Sequence, residues 1–367
     1  MNASDYQAAG LYDPDADNAA DRLALLEWLA AEGMTLEEMV EARARQSLPG
    51  IVAQRTLRPG RRLTLAEVAE RAGITIDEAE RLRRAVGFPA ADPEDRIFSA
   101  ADAEAFAAFK VAMGVLGEEA ILDFSRVIGS SLARIAESAI WLFLQHVEAP
   151  LAESLAGELA LARANVDAIK LLVAVPAVMD PIFRFHVETA IRRSRLARDV
   201  GSYDTSRLAV GFVDLVGFTT VSQQLSTRDL AELIHDFESQ AFEVVTARGG
   251  RLVKMIGDEV MFVTIDADAA CEITLAIFEA LGEDRAVTPR AGLAVGPLIT
   301  RGGDYYGPVV NLASRIAELA VPDEILVTAE VCDEAQKAST ELHFDPAGRR
   351  MLKGFDDPVE LFSLSRA

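Results

Sequence analysis

Apolar residues recur with helical spacing through the first half of the chain. Within residues 21–31, for example, Leu23, Leu26 and Leu29 share one helical face, and Gly33 ends the pattern. Further alanine- and leucine-rich runs predict helices over residues 99–114, 118–146, 151–175 and 182–200. The first 200 residues contain no clear alternation of apolar and polar positions, so we expect this half to be entirely helical.

Two shorter helices are predicted at 64–72 and 75–86, each opened by a threonine suited to N-capping and joined by Gly73-Ile74. Such a pair resembles a helix-turn-helix, so a DNA-binding regulator is an alternative to an enzyme. Residues 61–97, however, contain 7 arginines and 8 acidic residues. Because modules that read a DNA groove normally carry a positive surplus, no nucleic-acid partner is expected.

The pattern changes after Ser206, where short apolar runs begin to alternate with helical ones. Gly257-Asp258 separates two β-rich runs and indicates a hairpin. The β-α-β-β-α-β order predicts a ferredoxin-like domain with an extra helix and hairpin, hence an α+β protein. The predicted strands are 208–213, 251–256, 259–264, 289–295 and 324–328, and the predicted helices are 227–247, 268–281 and 309–320. We expect a helical domain at 1–181, a helical linker at 182–206 and a second domain at 207–367.

The chain is strongly acidic: its 367 residues include 58 acidic and 36 basic side chains, for a net charge of −22. This excludes a protein that binds mainly nucleic-acid backbones or anionic membranes, because such partners require a basic surface. It leaves room for a small anionic substrate whose charge is met by metal ions and a few placed cations.

The sequence predicts a cytoplasmic protein without a membrane span. Cys271 and Cys332 are too few and too far apart in sequence for a disulfide framework, which favours a reducing compartment. No signal-peptide pattern is visible at the N-terminus. The most apolar stretch that we identify, Leu171–Met179, contains Pro176 and is too short to cross a bilayer, so we interpret it as a buried helix segment.

Two aspartates are expected to meet at one end of the predicted sheet. Asp214 ends the first strand, and Asp258 lies at the tip of the hairpin that should pair with it. Paired carboxylates with open positions are how proteins hold Mg²⁺ on a nucleotide. The alternative for each aspartate alone is a turn or capping role.

Asn311 and Arg315 lie one turn apart on the predicted helix 309–320 and therefore share a face. An amide and a guanidinium so placed could orient a sugar and neutralise a phosphoryl group in a transition state. The alternative is a surface arginine that pairs with Glu318.

Together these motifs resemble the class III nucleotidyl cyclases over about 160 residues. The resemblance consists of Asp-x-x-Gly-Phe-Thr from Asp214, Lys-x-x-Gly-Asp from Lys254 to Asp258, and Asp304 seven residues before the Asn-x-x-x-Arg of Asn311 and Arg315. It implies that Asp214 and Asp258, with the Leu215 carbonyl, bind two Mg²⁺ or Mn²⁺ ions.

The resemblance also assigns roles to the remaining positions of these motifs. Asn311 would hold the ribose and Arg315 would stabilise charge at the α-phosphorus, as the 3′-oxygen displaces pyrophosphate. Three further residues are assigned to substrate binding: Phe218, Thr219 and, near the C-terminus, Lys353.

The residues expected at the nucleobase favour adenine. Asp304 can accept a hydrogen bond from the 6-amino group, and Lys254 can donate one to N1. Guanine reverses both polarities, and two mismatches predict roughly a 10²- to 10⁴-fold preference for ATP. The expected reaction is therefore the conversion of ATP into 3′,5′-cyclic AMP and pyrophosphate.

In this family each active site is built across a dimer, so the resemblance implies a homodimer with two shared sites. The helical half resembles, through residues 21–29 and 84–87, actinobacterial cyclases with inhibitory, pH-responsive regulatory domains. A small-molecule or lipid effector on that half is a further expectation. Candidate groups for such regulation are the linker arginines (Arg192, Arg193, Arg195 and Arg198) and the histidines (His146, His186, His235 and His343).

Overall fold

The structure is a computed structural model that describes residues 1–154, 157–197, 205–282 and 287–367. The chain separates into two compact units, Met1–Arg184 and Phe185–Ala367. The predictions for Arg198 and for a helix end at residue 200 lie outside the described residues, as does the side chain of Thr219.

The first unit is helical throughout its described part, with a single isolated β-bridge between Leu63 and Phe98. Thr64 and Thr75 each form a capping box with the glutamate three residues later, which explains why helices begin there. A short 3₁₀ turn lies at Leu48–Gly50. The helices are α1 (Ala3–Ala8), α2 (Ala19–Ala31), α3 (Leu36–Ala44), α4 (Ile51–Leu57), α5 (Leu65–Ala72), α6 (Ile76–Ala85), α7 (Ala100–Leu116), α8 (Glu118–Phe143), α9 (Ala149–Glu153) and α10 (Glu158–Leu196), and the residues of α10 from Phe185 onward belong to the second unit.

Two apolar clusters form the core of this unit. One contains Tyr6, Leu26 and Met39, and the α2 face predicted from sequence points into it. The other is built around Val68 and Leu82 of the α5–α6 pair. The helix-turn-helix-like segment is thus part of a packed helical core.

Two predicted helix boundaries are wrong. α8 continues through a π-helical turn at Leu144–Glu148 into α9, so the helix does not stop at residue 146. α10 runs without a break through Pro176 and Pro181, where the sequence predicted two separate helices. A proline inside a helix removes one backbone hydrogen bond and bends the helix, but it need not end it.

The interpretation of Leu171–Met179 as a buried segment is also wrong. Leu171 is 75% exposed and Val178 is 58% exposed, so this part of α10 presents apolar side chains at the surface of the unit. Sequence periodicity identifies a helix but does not reveal whether another element covers it.

The segment Glu118–Glu153 is long and apolar enough to cross a membrane, with a mean hydropathy of 1.4 over its most apolar window. Only 6% of that window is buried, and Trp141 is 57% exposed. Length and composition alone do not establish that this helix spans a membrane.

The second unit contains a mixed eight-stranded sheet and confirms the predicted α+β class with a ferredoxin-like β-α-β-β-α-β core. The sheet order is β2-β3-β1-β4-β6-β8-β7, with β5 paired to β4; among the strand pairs that the structure describes, β4 with β6 is parallel and the others are antiparallel. The strands are β1 (Thr205–Val216), β2 (Arg251–Ile256), β3 (Glu259–Thr264), β4 (Thr288–Arg301), β5 (Asp304–Tyr306), β6 (Ile325–Thr328), β7 (Leu342–Arg350) and β8 (Val359–Arg366). The helices are α11 (Phe218–Ser222), α12 (Thr227–Ala247), α13 (Ala267–Leu281), α14 (Pro308–Leu319) and α15 (Ala329–Ala338).

Strand β1 is central, and its alternating side chains enter two cores. Val213 and Leu215 pack with α12, α13 and α15 on one face, whereas Val210 and Phe212 pack with α14 on the other. At Gly292 of β4 the helix α14 comes so close that an added Cβ would lie 2.3 Å from the Ala317 nitrogen. The sheet therefore fixes the position of α14, which carries Asn311 and Arg315.

Candidate active site

The end of β1 gathers three carboxylates and one guanidinium. Asp214 pairs in register with Glu259 of β3 on one side and with Arg290 of β4 on the other. Asp258 lies in the adjoining hairpin turn, where its carbonyl accepts a hydrogen bond from the Leu215 N–H at 3.3 Å. The predicted meeting of Asp214 and Asp258 thus follows directly from the β1–β3 register.

The sequence analysis missed two members of this cluster, the carboxylate Glu259 and the guanidinium of Arg290. Arg290 Nε and Nη2 lie 2.7 and 2.6 Å from Oδ2 of Asp214, and its Nη1 donates to the Glu318 carbonyl at 2.8 Å. The strand register would have identified Arg290 as the residue opposite Asp214. That register joins residues 76 positions apart in the chain, so it cannot be read from local sequence.

The negative charge at this end of the sheet exceeds what Arg290 can neutralise. Burial raises the pKa of Asp258, and the nearby Asp214 carboxylate raises it further. Burial, together with Asp214, Glu318 and Asp258, raises the pKa of Glu259 to about 7. A cluster whose carboxylates resist ionisation is one that a bound cation would stabilise.

The donor set fits a divalent metal that is shared with a substrate. No group of three or more His, Cys, Asp or Glu side chains within the described ranges could hold a metal by itself. Mg²⁺ is usually bound by one or two carboxylates and completes its shell with water and substrate phosphates. Asp214 and Asp258, with the main-chain carbonyl of Leu215 that follows Asp214 in β1, match such a partial set.

Lys254 and Asp304, which the sequence predicted at the nucleobase, form a direct ion pair. Lys254 Nζ lies 2.7 Å from Asp304 Oδ2, although the residues are 50 positions apart. The other carboxylate oxygen, Oδ1, accepts a hydrogen bond from the Tyr305 N–H at 2.8 Å. Both side chains are about one-third exposed or less, so a ligand can reach them.

On α14 Asn311 is exposed and Arg315 pairs with Glu318. Arg315 Nη1 lies 2.6 Å from both carboxylate oxygens of Glu318, which is the surface pairing that the sequence left open as an alternative. The side chains of this pair are 38% and 53% exposed, so the contact is weak and Arg315 can leave it for a ligand.

The remaining predicted substrate-binding residues differ in their surroundings. Phe218 is partly buried and packs against the apolar core that contains Phe237 of α12. Lys353 is exposed, but its neighbour Leu352 is buried against Ile316 of α14. That contact holds the turn containing Lys353 beside the helix of Asn311 and Arg315.

The fold and site are those of a nucleotidyl cyclase, and comparison with known families identifies both units. Residues 4–191 match the adenylate cyclase regulatory domain, and residues 200–366 match the adenylate and guanylate cyclase catalytic domain. The chain therefore belongs to the adenylate cyclases that combine this regulatory domain with a class III catalytic domain. The predicted enzyme class is confirmed, and the DNA-binding regulator is not supported.

Three relatives illustrate the similarity. An uncharacterized protein of Mycobacterium tuberculosis is 33% identical over 98% of this chain and 93% of its own length. An adenylate cyclase of Streptomyces coelicolor is 35% identical over 75% of this chain and 72% of its own. A pH-sensitive adenylate cyclase of M. tuberculosis is 30% identical over 95% of this chain and 88% of its own.

Proposed function

We propose that this adenylate cyclase forms 3′,5′-cyclic AMP and pyrophosphate from ATP at two equivalent sites shared across a homodimer. The observation that carries the choice of ATP is the contact between Lys254 and Asp304. It presents one donor and one acceptor side by side, which matches N1 and the 6-amino group of adenine. Guanine would place N1–H against the lysine and O6 against the carboxylate, at a cost of about 1–3 kcal/mol for each mismatch.

Asp214 and Asp258 would hold two divalent ions, Mg²⁺ or Mn²⁺, together with the Leu215 carbonyl. When bound, such ions activate the ribose 3′-hydroxyl and neutralise the triphosphate. The chain's own residues then position the substrate. Asn311 orients the ribose, and the Arg315 guanidinium leaves Glu318 to stabilise charge at the α-phosphorus. Phe218, Thr219 and Lys353 would complete the nucleotide pocket.

A shared site requires that the metal aspartates and the α14 residues of one reaction come from different protomers. Each chain contributes both sets, so a homodimer has two sites. The decisive experiment mixes two variants, Asp214→Ala and Asn311→Ala, each inactive when expressed alone. Co-expression should yield heterodimers with one intact site and one doubly damaged site, and should restore cyclic AMP formation.

Two further measurements make that experiment decisive. Expression of Asp214→Ala with a chain carrying both substitutions must give no recovery, because no intact site can then form. Size-exclusion chromatography should show that every variant remains dimeric. Dimeric mixtures that stay inactive would refute shared sites without affecting the assignment of the enzyme.

We also propose that the helical domain at 1–181 modulates the catalytic domain at 207–367 through the segment 182–206. The name of the pH-sensitive relative and the match of residues 4–191 to a regulatory domain support this. An inhibitory, pH-dependent effect is the form that we expect, and a small-molecule or lipid effector would act on the same domain. The arginines at 192, 193 and 195 are candidates for a contact that changes with state.

A cytoplasmic location agrees with the substrate and with the thiols. Cys271 and Cys332 are both free and buried. Free thiols are the usual state in a reducing compartment.

A further inference from the structure

Arg251, the first residue of β2, holds the turn between β4 and β5. Its Nη2 donates to the Gly303 carbonyl at 2.7 Å, and its Nη1 donates to the Tyr305 hydroxyl at 3.2 Å. The guanidinium carbon also lies 5.4 Å from the centre of the Tyr305 ring. These three contacts are made to Gly303 and Tyr305, the residues that precede and follow Asp304 in the chain.

The turn would be adaptable without this clamp. Gly302 and Gly303 have φ values of 60° and 81°. Glycine adopts positive and negative φ about equally readily, so these residues alone do not fix the backbone of the turn. Tyr305, by contrast, is only 4% exposed and is part of the core beneath α14. Arg251 therefore connects Gly303, on the glycine side of Asp304, with the buried Tyr305 on its other side.

A β-bulge places Arg251 and Lys254 on the same side of the sheet. Side chains three residues apart point to opposite faces of a regular strand. The register of β2 with β3 shifts between Leu252 and Lys254, which inserts an extra residue and restores a common direction. Both cationic side chains of β2 consequently reach the β4–β5 turn. Lys254 contacts the Asp304 carboxylate, and Arg251 contacts the Gly303 carbonyl.

Nucleotide binding would remove one of the two contacts that join this turn to β2. When Lys254 and Asp304 both turn to the base, their 2.7 Å bond no longer ties the turn to β2. The contacts of Arg251 with Gly303 and Tyr305 involve neither group and remain. We propose that Arg251 is a positioning residue for nucleobase selection, which sets the spacing between the Lys254 donor and the Asp304 acceptor. This inference rests on the proposed function, in which that pair reads the base.

The test measures kcat and KM for ATP and for GTP with full-length Arg251→Gln. We expect the ratio of kcat/KM for ATP over GTP to fall about 10-fold, mainly through a higher KM for ATP, because a misplaced acceptor loses its selectivity. Arg251→Lys keeps the positive charge, but its single ammonium group cannot bind Gly303 and Tyr305 with two separate nitrogens. We expect its selectivity for ATP over GTP to fall by about 3-fold. Tyr305→Phe removes one hydrogen bond and should show a smaller change in the same direction.

Arg228→Gln is the matched control, because Arg228 is 86% exposed on α12 and pairs only with Glu232 four residues away among the contacts described. Its selectivity should equal that of the wild type. A general loss of structure would lower kcat for both nucleotides and leave their ratio unchanged. If Arg251→Gln fails to fold, Arg251→Lys and Tyr305→Phe still report the ratio.

Asp304→Ala separates the two levels of the proposal. If it abolishes the preference for ATP while Arg251→Gln and Arg251→Lys retain the wild-type ratio, the role of Arg251 is refuted and base reading by Asp304 stands. If Asp304→Ala itself leaves the preference intact, base reading by this pair is refuted together with the inference. Loss of preference in the Arg251 and Asp304 variants supports both.

Discussion

Arg290 and Asp214 lie directly opposite each other on β4 and β1, and two guanidinium nitrogens of Arg290 approach the same carboxylate oxygen of Asp214. The third nitrogen binds the Glu318 carbonyl at the end of α14. One side chain thus connects the proposed metal-binding end of β1 with the helix that carries Asn311 and Arg315. In the free protein it is the counter-charge of Asp214.

We expect Arg290→Gln to destabilise the protein. The side chains of Arg290 and Asp214 are only 26% and 18% exposed, and removing the guanidinium leaves several carboxylates without compensation. The free energy of unfolding should fall by about 1–3 kcal/mol, measured by urea denaturation near neutral pH. Arg228→Gln, which breaks an exposed pair, should change it by less than about 0.5 kcal/mol. Equal losses in the two variants would contradict the role assigned to Arg290.

The Lys254–Asp304 pair yields a prediction about the substrate. Lys254→Glu combined with Asp304→Cys removes the donor and acceptor that match adenine. Turnover of ATP should be lost by at least about 100-fold, in keeping with two mismatched contacts. The measurement is cyclic AMP formation with Mg²⁺ or Mn²⁺, and thermal unfolding checks that the variant is folded. Undiminished ATP turnover would refute base reading by these residues.

Glu259 predicts a pH dependence of the stability of the metal-free enzyme. Burial and neighbouring carboxylates raise its pKa from 4.5 to about 7 in the folded state. The folded protein therefore binds more protons than the unfolded chain between these values, and this group's contribution to stability is lost as the pH rises from about 4.5 through about 7. In EDTA, Glu259→Gln should be more stable than the wild type at about pH 8, with the difference shrinking toward about pH 5. A constant difference in melting temperature across this range would contradict the shifted pKa.

The close approach of α14 to β4 predicts that Gly292→Ala damages both stability and catalysis. The added methyl would lie 2.3 Å from the Ala317 nitrogen and 2.4 Å from the Ala313 carbonyl oxygen, so the helix must move. We expect a loss of about 1–3 kcal/mol in unfolding free energy and a reduced kcat, because Asn311 and Arg315 move with the helix. Gly114→Ala is the control, since its Cβ meets no atom within 4 Å, and it should be neutral or slightly stabilising.

Removal of the helical domain tests regulation. A fragment of residues 201–367 should be more active than the full chain and should have a flatter pH profile if residues 1–181 inhibit it in a pH-dependent way. A 100-fold suppression would need a free-energy difference of only about 2.7 kcal/mol between the inhibited and the active state. Cyclic AMP formation by both proteins, compared at several pH values and equal protomer concentration, provides the measurement. Identical rates and profiles would exclude a regulatory role for this domain under those conditions.

The catalytic half was predictable because its signals are local. Hairpin residues and apolar runs predicted β2 and β3 with their observed bounds, and short motifs with fixed spacing singled out Lys254 and Asp304. Arg290 and Arg251 escaped because their partners are 76 and 52 or more residues away, so only the folded register or the bulge of β2 reveals them.

The helical half was predicted as a class but not in its details. Its caps at Thr64 and Thr75 follow from residues three apart. The continuity of α10 through Pro176 and the exposure of Leu171 depend on what surrounds the helix, which an apolar pattern does not encode.

The ion pair between Lys254 and Asp304 means that the two side chains proposed to bind the base are already bonded to each other. Each group already has the other as a partner at 2.7 Å, so an arriving base competes with an internal ligand rather than with water alone. Adenine would replace both halves of that contact with hydrogen bonds of the same polarity, whereas guanine would break the contact and replace neither half. Under the proposed function, discrimination between nucleotides would depend on whether the base can replace the bond between Lys254 and Asp304.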